Sequence, residues 1–405
     1  MSDNGHGADP SPAFLPGGQR VTQGGLREKI EAQFAAENEE RFDLYAAAES
    51  AQRDALREVI EYVLATDSIT VGRTERGRLL DELHRDLFQY GPLTDLIVDE
   101  SVSEIAIRSA TEVFVRRGAD DPQSAPAASF RDTLHLERLI ARLLRPTGYD
   151  FRRESLIEAG GRLGSRPARL NILGLPLSPV LQVTMRLHPS APLSLTDLVV
   201  AGMLDPAAAG QLRAILAGGF GLMIAGEVGA GKTTLLNALL AELPSASVSV
   251  VERAAELRPP PTARLFTAAP EAPFPAQLLT ALDASDSWLV VDEVRFDESA
   301  EMWAAITADR QPRLLWAFRG STDATRLRTA FSMAVRRARQ GIGQEFIVSG
   351  LLDRLPFVAF LARRDKALRL LRIGEWVGVP DDPQAVQLNT VWSAESGSAP
   401  SQRLG

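Results

Sequence analysis

Residues 220–234, Phe-Gly-Leu-Met-Ile-Ala-Gly-Glu-Val-Gly-Ala-Gly-Lys-Thr-Thr, constrain this chain more than any other stretch. A short apolar run, Leu222 to Ala225, meets Gly226, and the pattern G-x-x-x-x-G-K-[ST] is complete at Thr233. The following Leu235-Leu236-Asn237-Ala238-Leu239-Leu240 reads as a helix. Strand, glycine-rich turn and helix in that order form a cradle for a polyphosphate. Gly226, Gly229 and Gly231 let the backbone approach phosphates with its N–H groups pointing inward, and the helix start adds its positive end. Lys232 reaches the β- and γ-phosphates, and the Thr233 hydroxyl can hold Mg²⁺. The whole run Gly226, Glu227, Val228, Gly229, Ala230, Gly231, Lys232, Thr233 and Thr234 is assigned to a nucleotide. The bland alternative, a glycine-rich turn between a core strand and a core helix, does not require the lysine and threonine that follow.

Roughly 60 residues later stands Ser287-Trp288-Leu289-Val290-Val291-Asp292-Glu293-Val294-Arg295. An apolar strand ending in two acids is what phosphoryl-transfer chemistry needs opposite such a loop: one acid orients Mg²⁺, the other polarises the attacking water. Alone, this stretch reads more readily as a buried strand running into a solvated acidic loop; the glycine-rich loop upstream turns the reading toward a site. Arg295 either meets phosphates or pairs with one of the acids.

Composition narrows the classes. The 405 residues contain no cysteine, which excludes disulfides, thiol catalysis and cysteine-ligated metals. His6, His84, His135 and His188 are scattered without metal-ligand spacing. A net charge of −8 argues against a general nucleic-acid binder, which needs a basic footprint. No apolar run approaches a membrane span and residues 1–23 lack a signal-peptide layout, so the expected location is cytoplasmic.

The expected fold class is α/β: a parallel-sheet phosphate-loop domain over 191–378, preceded by a smaller α+β domain over 75–190. An amphipathic helical arm over 26–74 comes before both, with Leu56, Val59, Ile60, Val63 and Leu64 at helical spacing. Strands are read at Val102–Ile107, Glu112–Val115, Leu170–Leu173 and Leu181–Arg186. Elements then alternate as Val248–Glu252, Phe274–Ala284, Trp288–Asp292, Glu298–Ala308, Leu314–Phe318 and Ala324–Ala338, a βαβα rhythm. Phe357–Arg363 and Ala367–Ile373 read as an antiparallel pair. Residues 1–25 and 379–405 are expected to be disordered.

Several of these stretches together resemble the secretion ATPases of the type II/type IV superfamily, most of all the tight-adherence (Flp) pilus branch. Tyr90-Gly91-Pro92-Leu93 through Ile105, Gly164-Ser165-Arg166 through Ile172, Val183-Thr184-Met185-Arg186, Leu193–Leu198 and Leu289–Arg295 stand in the family's order. The resemblance implies a RecA-like ATPase core, ATP and Mg²⁺ as cofactors, a homo-hexameric ring, and inner-membrane pilus or secretion platform proteins as partners. It places Lys232 on the phosphates, Thr233 and Asp292 at Mg²⁺, Glu293 and Glu252 among the catalytic acids, and Arg186 as a phosphate contact from the N-terminal domain. It also implies a cytoplasmic position, peripheral at the inner face of the cell membrane.

Two of the family's motifs are altered. Where an adjacent Glu-Asp pair is usual the chain reads Glu252-Arg253, and Arg253 is open to pairing with Glu252 or Glu256. Where a histidine-containing box is usual it reads Leu314-Leu315-Trp316-Ala317-Phe318-Arg319-Gly320-Ser321. Arg319 there is either a fixed cation for phosphate or a solvated loop arginine. Three readings stay open: a working motor, a nucleotide-binding but hydrolysis-poor ring subunit, and a conjugation-type DNA-transfer ATPase.

Overall fold

A computed structural model of the chain describes residues 13–14, 20–38, 44–45, 47–118, 120–243, 247–284, 286–295, 298–308, 312–365 and 367–404. The chain divides into two compact units, residues 1–99 with 126–139, and residues 100–125 with 140–405. The boundary expected at 190/191 falls inside the second unit, which holds the strands on either side of it.

In the first unit β1 (Ala13–Phe14) pairs antiparallel with β2 (Arg20–Val21). Helices follow at Gln23–Asn38, Glu49–Thr66 and Arg73–Phe88. Their apolar stripes meet in one cluster: Ile30 and Phe34 from the first, Leu56, Ile60 and Val63 from the second, Leu79 and Leu83 from the third. A cut at 74/75 would strip Leu79 and Leu83 from that core, so the arm and the start of the expected α+β domain form one body. Of the disorder expected over 1–25, residues 1–12 and 15–19 lie outside the described residues, whereas 13–14 form β1, 20–21 form β2 and 23–25 open the first helix.

The second unit holds two sheets. A six-stranded antiparallel sheet runs in the order β5-β4-β3-β8-β7-β6. It comprises β3 (Val102–Ile107), β4 (Val113–Arg117), β5 (Gln123–Ser124), β6 (Leu156–Leu163), β7 (Arg166–Leu173) and β8 (Gln182–Leu187). Along β7 the side chains alternate, with Ala168, Leu170 and Ile172 buried and Arg169 and Asn171 facing the other way.

A nine-stranded sheet runs β11-β10-β12-β13-β9-β14-β15-β16-β17. Its strands are β9 (Leu222–Gly226), β10 (Val248–Glu252), β11 (Arg264–Thr267), β12 (Trp288–Val294), β13 (Arg313–Arg319), β14 (Phe357–Arg364), β15 (Ala367–Val379), β16 (Asp382–Ser393) and β17 (Gly397–Ser398). From β11 to β14 all pairings are parallel; beyond β14 they are antiparallel. Parallel strands are covered on both faces, which is why they read as unbroken apolar runs. Leu222 and Ile224 pack into one core layer with Leu235, Leu236 and Leu239 of the helix Lys232–Leu240. Met223 and Ala225 pack into the other layer.

The expected disordered tail over 379–405 is instead part of this sheet. Val391 and Trp392 of β16 are buried in the core. The last residues clamp the buried Glu375 of β15, whose carboxylate accepts from Ser401 Oγ (2.8 Å), the Gln402 N–H (2.8 Å) and Arg403 (2.9 Å). The turn signals Asp381-Asp382-Pro383 and the scattered polar residues of β16 hide a strand that packs Val391 and Trp392 into one core layer and Val386 into the other.

Where the two sheets meet, β6 lies on the loop that follows β10. A β-carbon at Gly160 would stand 2.0 Å from the Ala254 backbone, so only glycine fits there. Arg258 of the same loop donates to the Ser165 carbonyl (3.4 Å) and the Pro189 carbonyl (3.2 Å). These contacts turn the polar side of β7 and β8 toward the carboxyl ends of β9 and β12.

Candidate nucleotide site

The glycine-rich loop leaves β9 at the carboxyl end of the parallel strands, the usual ligand edge of such a sheet. Gly229 (φ +76°) and Gly231 (φ +93°) are left-handed, a conformation that residues with a β-carbon resist. A pocket of about 730 Å³ opens beside it. The loop contributes Val228, Gly229, Gly231, Lys232, Thr233 and Thr234. Glu293, Arg295, Arg319 and Arg363 come from strand ends of the same sheet, and Glu104, Glu158, Arg169, Asn171 and Arg186 from the six-stranded sheet. Arg186 and the loop, 40 or more residues apart in the chain, thus face one cavity. Gly226, Glu227 and Ala230 are not among the lining residues; Gly226 and Ala230 are buried, and Glu227 is exposed.

Opposite charges alternate through this pocket. Lys232 is buried; its Nζ donates to the Gly226 and Glu227 carbonyls (3.0 Å each) and pairs with Glu293 at 3.1 Å. Arg295 grips Glu158 with two hydrogen bonds (2.7 and 2.8 Å) and lies 3.5 Å from Glu293, so it pairs with acids. Arg169 bridges Glu158 and the buried Glu256, the latter at 3.4 Å, and His188 stands 3.2 Å from Glu256. Burial raises the Glu293 pKa, but Lys232 and Arg295 outweigh it and leave the carboxyl below its ordinary value. Glu256 follows the same pattern, with burial overcome by His188 and Arg169.

Asp292 and Glu252 behave differently. Asp292 is 1% exposed, and neither carboxylate oxygen has a hydrogen-bond partner among the described residues. Burial first, then the charge of Glu256, pushes its pKa up to about 7. Glu252 is fully buried and accepts from the Leu257 N–H (2.9 Å) and the Thr267 hydroxyl (3.1 Å); burial also lifts it to about 7. Glu252 does not line the pocket and is spent on closing its own loop. Arg253 pairs with neither Glu252 nor Glu256, the partners its sequence neighbourhood offers. It pairs with Glu298 and lies over the Phe274 ring, 3.8 Å from its centre.

Comparison with known proteins now decides the family. The sequence profile described as "Type II/IV secretion system protein" matches residues 87–309, more than half of the chain. The chain belongs to this family. Two curated relatives from Mycobacterium tuberculosis, strains CDC 1551 and H37Rv, are each 27% identical over 345 residues, covering 81% of this chain and 95% of theirs. Both carry the description "putative conjugal transfer protein". Among solved structures, the Legionella pneumophila ATPase DotB is similar, with a TM-score of 0.51 and 17% identity over 71% of this chain and 82% of that one. That likeness concerns the fold: a RecA-like phosphate-loop core with helices flanking a mixed sheet, preceded by a helical and β region.

A Mg²⁺ ion of such a family would be held by Thr233, which lines the pocket on the first turn of the helix behind the loop, and by Asp292, which is buried and not among the lining residues but whose two oxygens have no hydrogen-bond partner among the described residues. Among the described residues no three His, Cys, Asp or Glu side chains are grouped to hold a metal unaided, so the ligand's own oxygens would complete the set. Sequence reasoning missed Glu158, Arg169 and Arg363. For Arg169 the signal was present, since Arg169 and Asn171 are the polar half of β7's alternation. No described helix is long and apolar enough to cross a membrane.

Proposed function

We propose that this chain is an ATP-hydrolysing motor subunit powering pilus assembly or protein secretion of the tight-adherence, type II or type IV kind. The observation that carries the reading is the Lys232–Glu293 contact at 3.1 Å, which joins the loop's phosphate-binding cation to an acid on the facing strand end. A polyphosphate on the loop N–H groups offers Lys232 stronger acceptors than the Gly226 and Glu227 carbonyls. Drawing the lysine away frees Glu293 to orient water at the terminal phosphate and removes the largest influence holding its pKa down, so that burial makes it the more ready to take a proton from that water. Thr233 and Asp292 would hold Mg²⁺, which neutralises charge on the phosphate oxygens. Arg186, on the six-stranded sheet, meets the phosphates from the opposite wall. Family membership supports a homo-hexamer working with membrane platform proteins at the cytoplasmic face.

The description of the two relatives favours a second reading of the cargo, DNA in conjugal transfer. The net charge of −8 weighs against it. Altered residues at 253 and 319 favour a hydrolysis-poor subunit.

ATP binding and turnover of the purified chain separate these readings. Lys232→Ala is expected to lower both by about 100-fold or more, since a charged group buried against the phosphates is lost. Glu293→Gln is expected to keep ATP binding and lower turnover by ~10²–10⁴-fold. A wild-type chain that binds ATP yet turns it over no faster than Lys232→Ala is a scaffold, and the motor reading fails.

A further inference from the structure

The pocket holds two kinds of cation. Lys232 is matched by Glu293, Arg295 and Arg169 by Glu158, and Arg186 and Arg116 stand 3.8 and 3.6 Å from Glu104. Arg319 and Arg363 line the same pocket, are exposed, and have no carboxylate or hydrogen-bond partner among the described residues. Their positions are related. β13 and β14 flank β9, one on each side, and both run parallel to it. Arg319 is the last residue of β13 and lies in register with Gly226, where the loop begins. On β14 the residue in register with Gly226 is Leu361, and Arg363 is the next on the same face. By that alternation Arg319 follows Leu315 and Ala317, and Arg363 follows Ala359 and Leu361, all in the core layer that includes Leu235 and Leu236 behind the loop. Both guanidinium groups therefore leave the sheet on the side of the phosphate-loop helix, on either hand of the strand that feeds it.

We propose that Arg319 and Arg363 grip the terminal phosphate of a nucleoside triphosphate from two sides, and that they set the preference of this site for triphosphate over diphosphate. The inference rests on the nucleotide reading above and adds residues and a selectivity to it. In a loop of this pattern the backbone N–H groups surround the inner phosphates and the lysine reaches outward. The outermost phosphate then faces the strand ends, where the only described pocket cations without acidic partners stand. A guanidinium fork matches a phosphate's paired oxygens, and an unmatched one gives up no existing ion pair to do so.

The test is titration of the full chain with a non-hydrolysable ATP analogue and with ADP, each with Mg²⁺, for wild type, Arg319→Ala, Arg363→Ala, the double variant and Lys232→Ala. Each single arginine substitution is expected to weaken the triphosphate by about 10-fold and the double by about 100-fold, with ADP within about 2-fold of wild type. Arg319→Lys and Arg363→Lys should recover part of the loss, which a merely structural role would not give. Thermal melts unchanged from wild type would show that the exposed strand ends remain folded. Unchanged triphosphate binding, or equal weakening of ATP analogue and ADP, while Lys232→Ala abolishes both, overturns this proposal alone. If Lys232→Ala leaves both nucleotides bound, the nucleotide site itself is wrong and the proposal falls with it.

Discussion

Asp292 and Glu375 are both buried carboxylates of the nine-stranded sheet, yet their surroundings are opposite. Glu375, on the antiparallel side, is held by a hydroxyl, a backbone N–H and an arginine, all from residues 401–403. Asp292, on the parallel side, has no hydrogen-bond partner for either oxygen among the described residues, and burial holds its pKa near 7. An acid buried without partners costs free energy that a domain of ordinary stability can ill spare. The satisfied acid is thus part of the scaffold, whereas the unsatisfied one carries a cost that no hydrogen bond among the described residues offsets.

The largest effect that would test this contrast is loss of the clamp. Arg403→Ala leaves Glu375 buried without its counter-charge and is expected to cost about 3–5 kcal/mol in urea unfolding. A cost below about 1 kcal/mol both for Arg403→Ala and for removal of residues 401–404 would show that Glu375 needs no clamp, and the scaffold half of the contrast would fail.

Next in size is a pH dependence. Asp292 and Glu252 both have folded-state values near 7, above those of an unfolded carboxyl, so the folded chain binds more protons between about pH 4.5 and 7. Stability without nucleotide should therefore fall as pH rises through that window, by at most about 1.4 kcal/mol per pKa unit for each group. The folded-state gain is fully present below the unfolded pKa and is lost above 7. Melting temperatures that instead rise over the window would contradict the burial assigned to these acids.

The smallest effect is the most selective. Asp292→Asn removes the desolvated charge and should stabilise the nucleotide-free chain by ~1–2 kcal/mol at pH 8, while reducing the extra stabilisation that Mg²⁺ with ATP provides. Destabilisation at pH 8 would place Asp292 among the scaffold acids beside Glu375.

The sequence announces the parallel core because strands covered on both faces must be apolar throughout, as in Leu222–Ala225 and Trp288–Val291. The glycines at 229 and 231 announce the loop for the same kind of reason: their backbone angles exclude most other residues. The partners of individual charges are another matter. Arg295 finds Glu158 137 residues away, and Arg253 passes over its nearest acids for Glu298 and the Phe274 ring. Such pairs depend on which elements stack, which local pattern does not encode. β16 was illegible because its buried residues, Val386, Val391 and Trp392, are separated by polar ones and follow an Asp-Asp-Pro turn signal. The joining of the first three helices into one core, and of both sheets into one unit, likewise follows from packing.

Gly160 carries a consequence for movement. With the Ala254 backbone standing where any β-carbon at 160 would be, the hairpin β6–β7 and the loop after β10 meet backbone to backbone. Surfaces in such contact have no side chains to bend or interleave, so lateral slip means losing the contact outright, whereas a small tilt about it keeps it. The ion pairs that run from Glu256 through Arg169, Glu158, Arg295 and Glu293 to Lys232 join the same two sheets, so a movement that parts the sheets must break them as well.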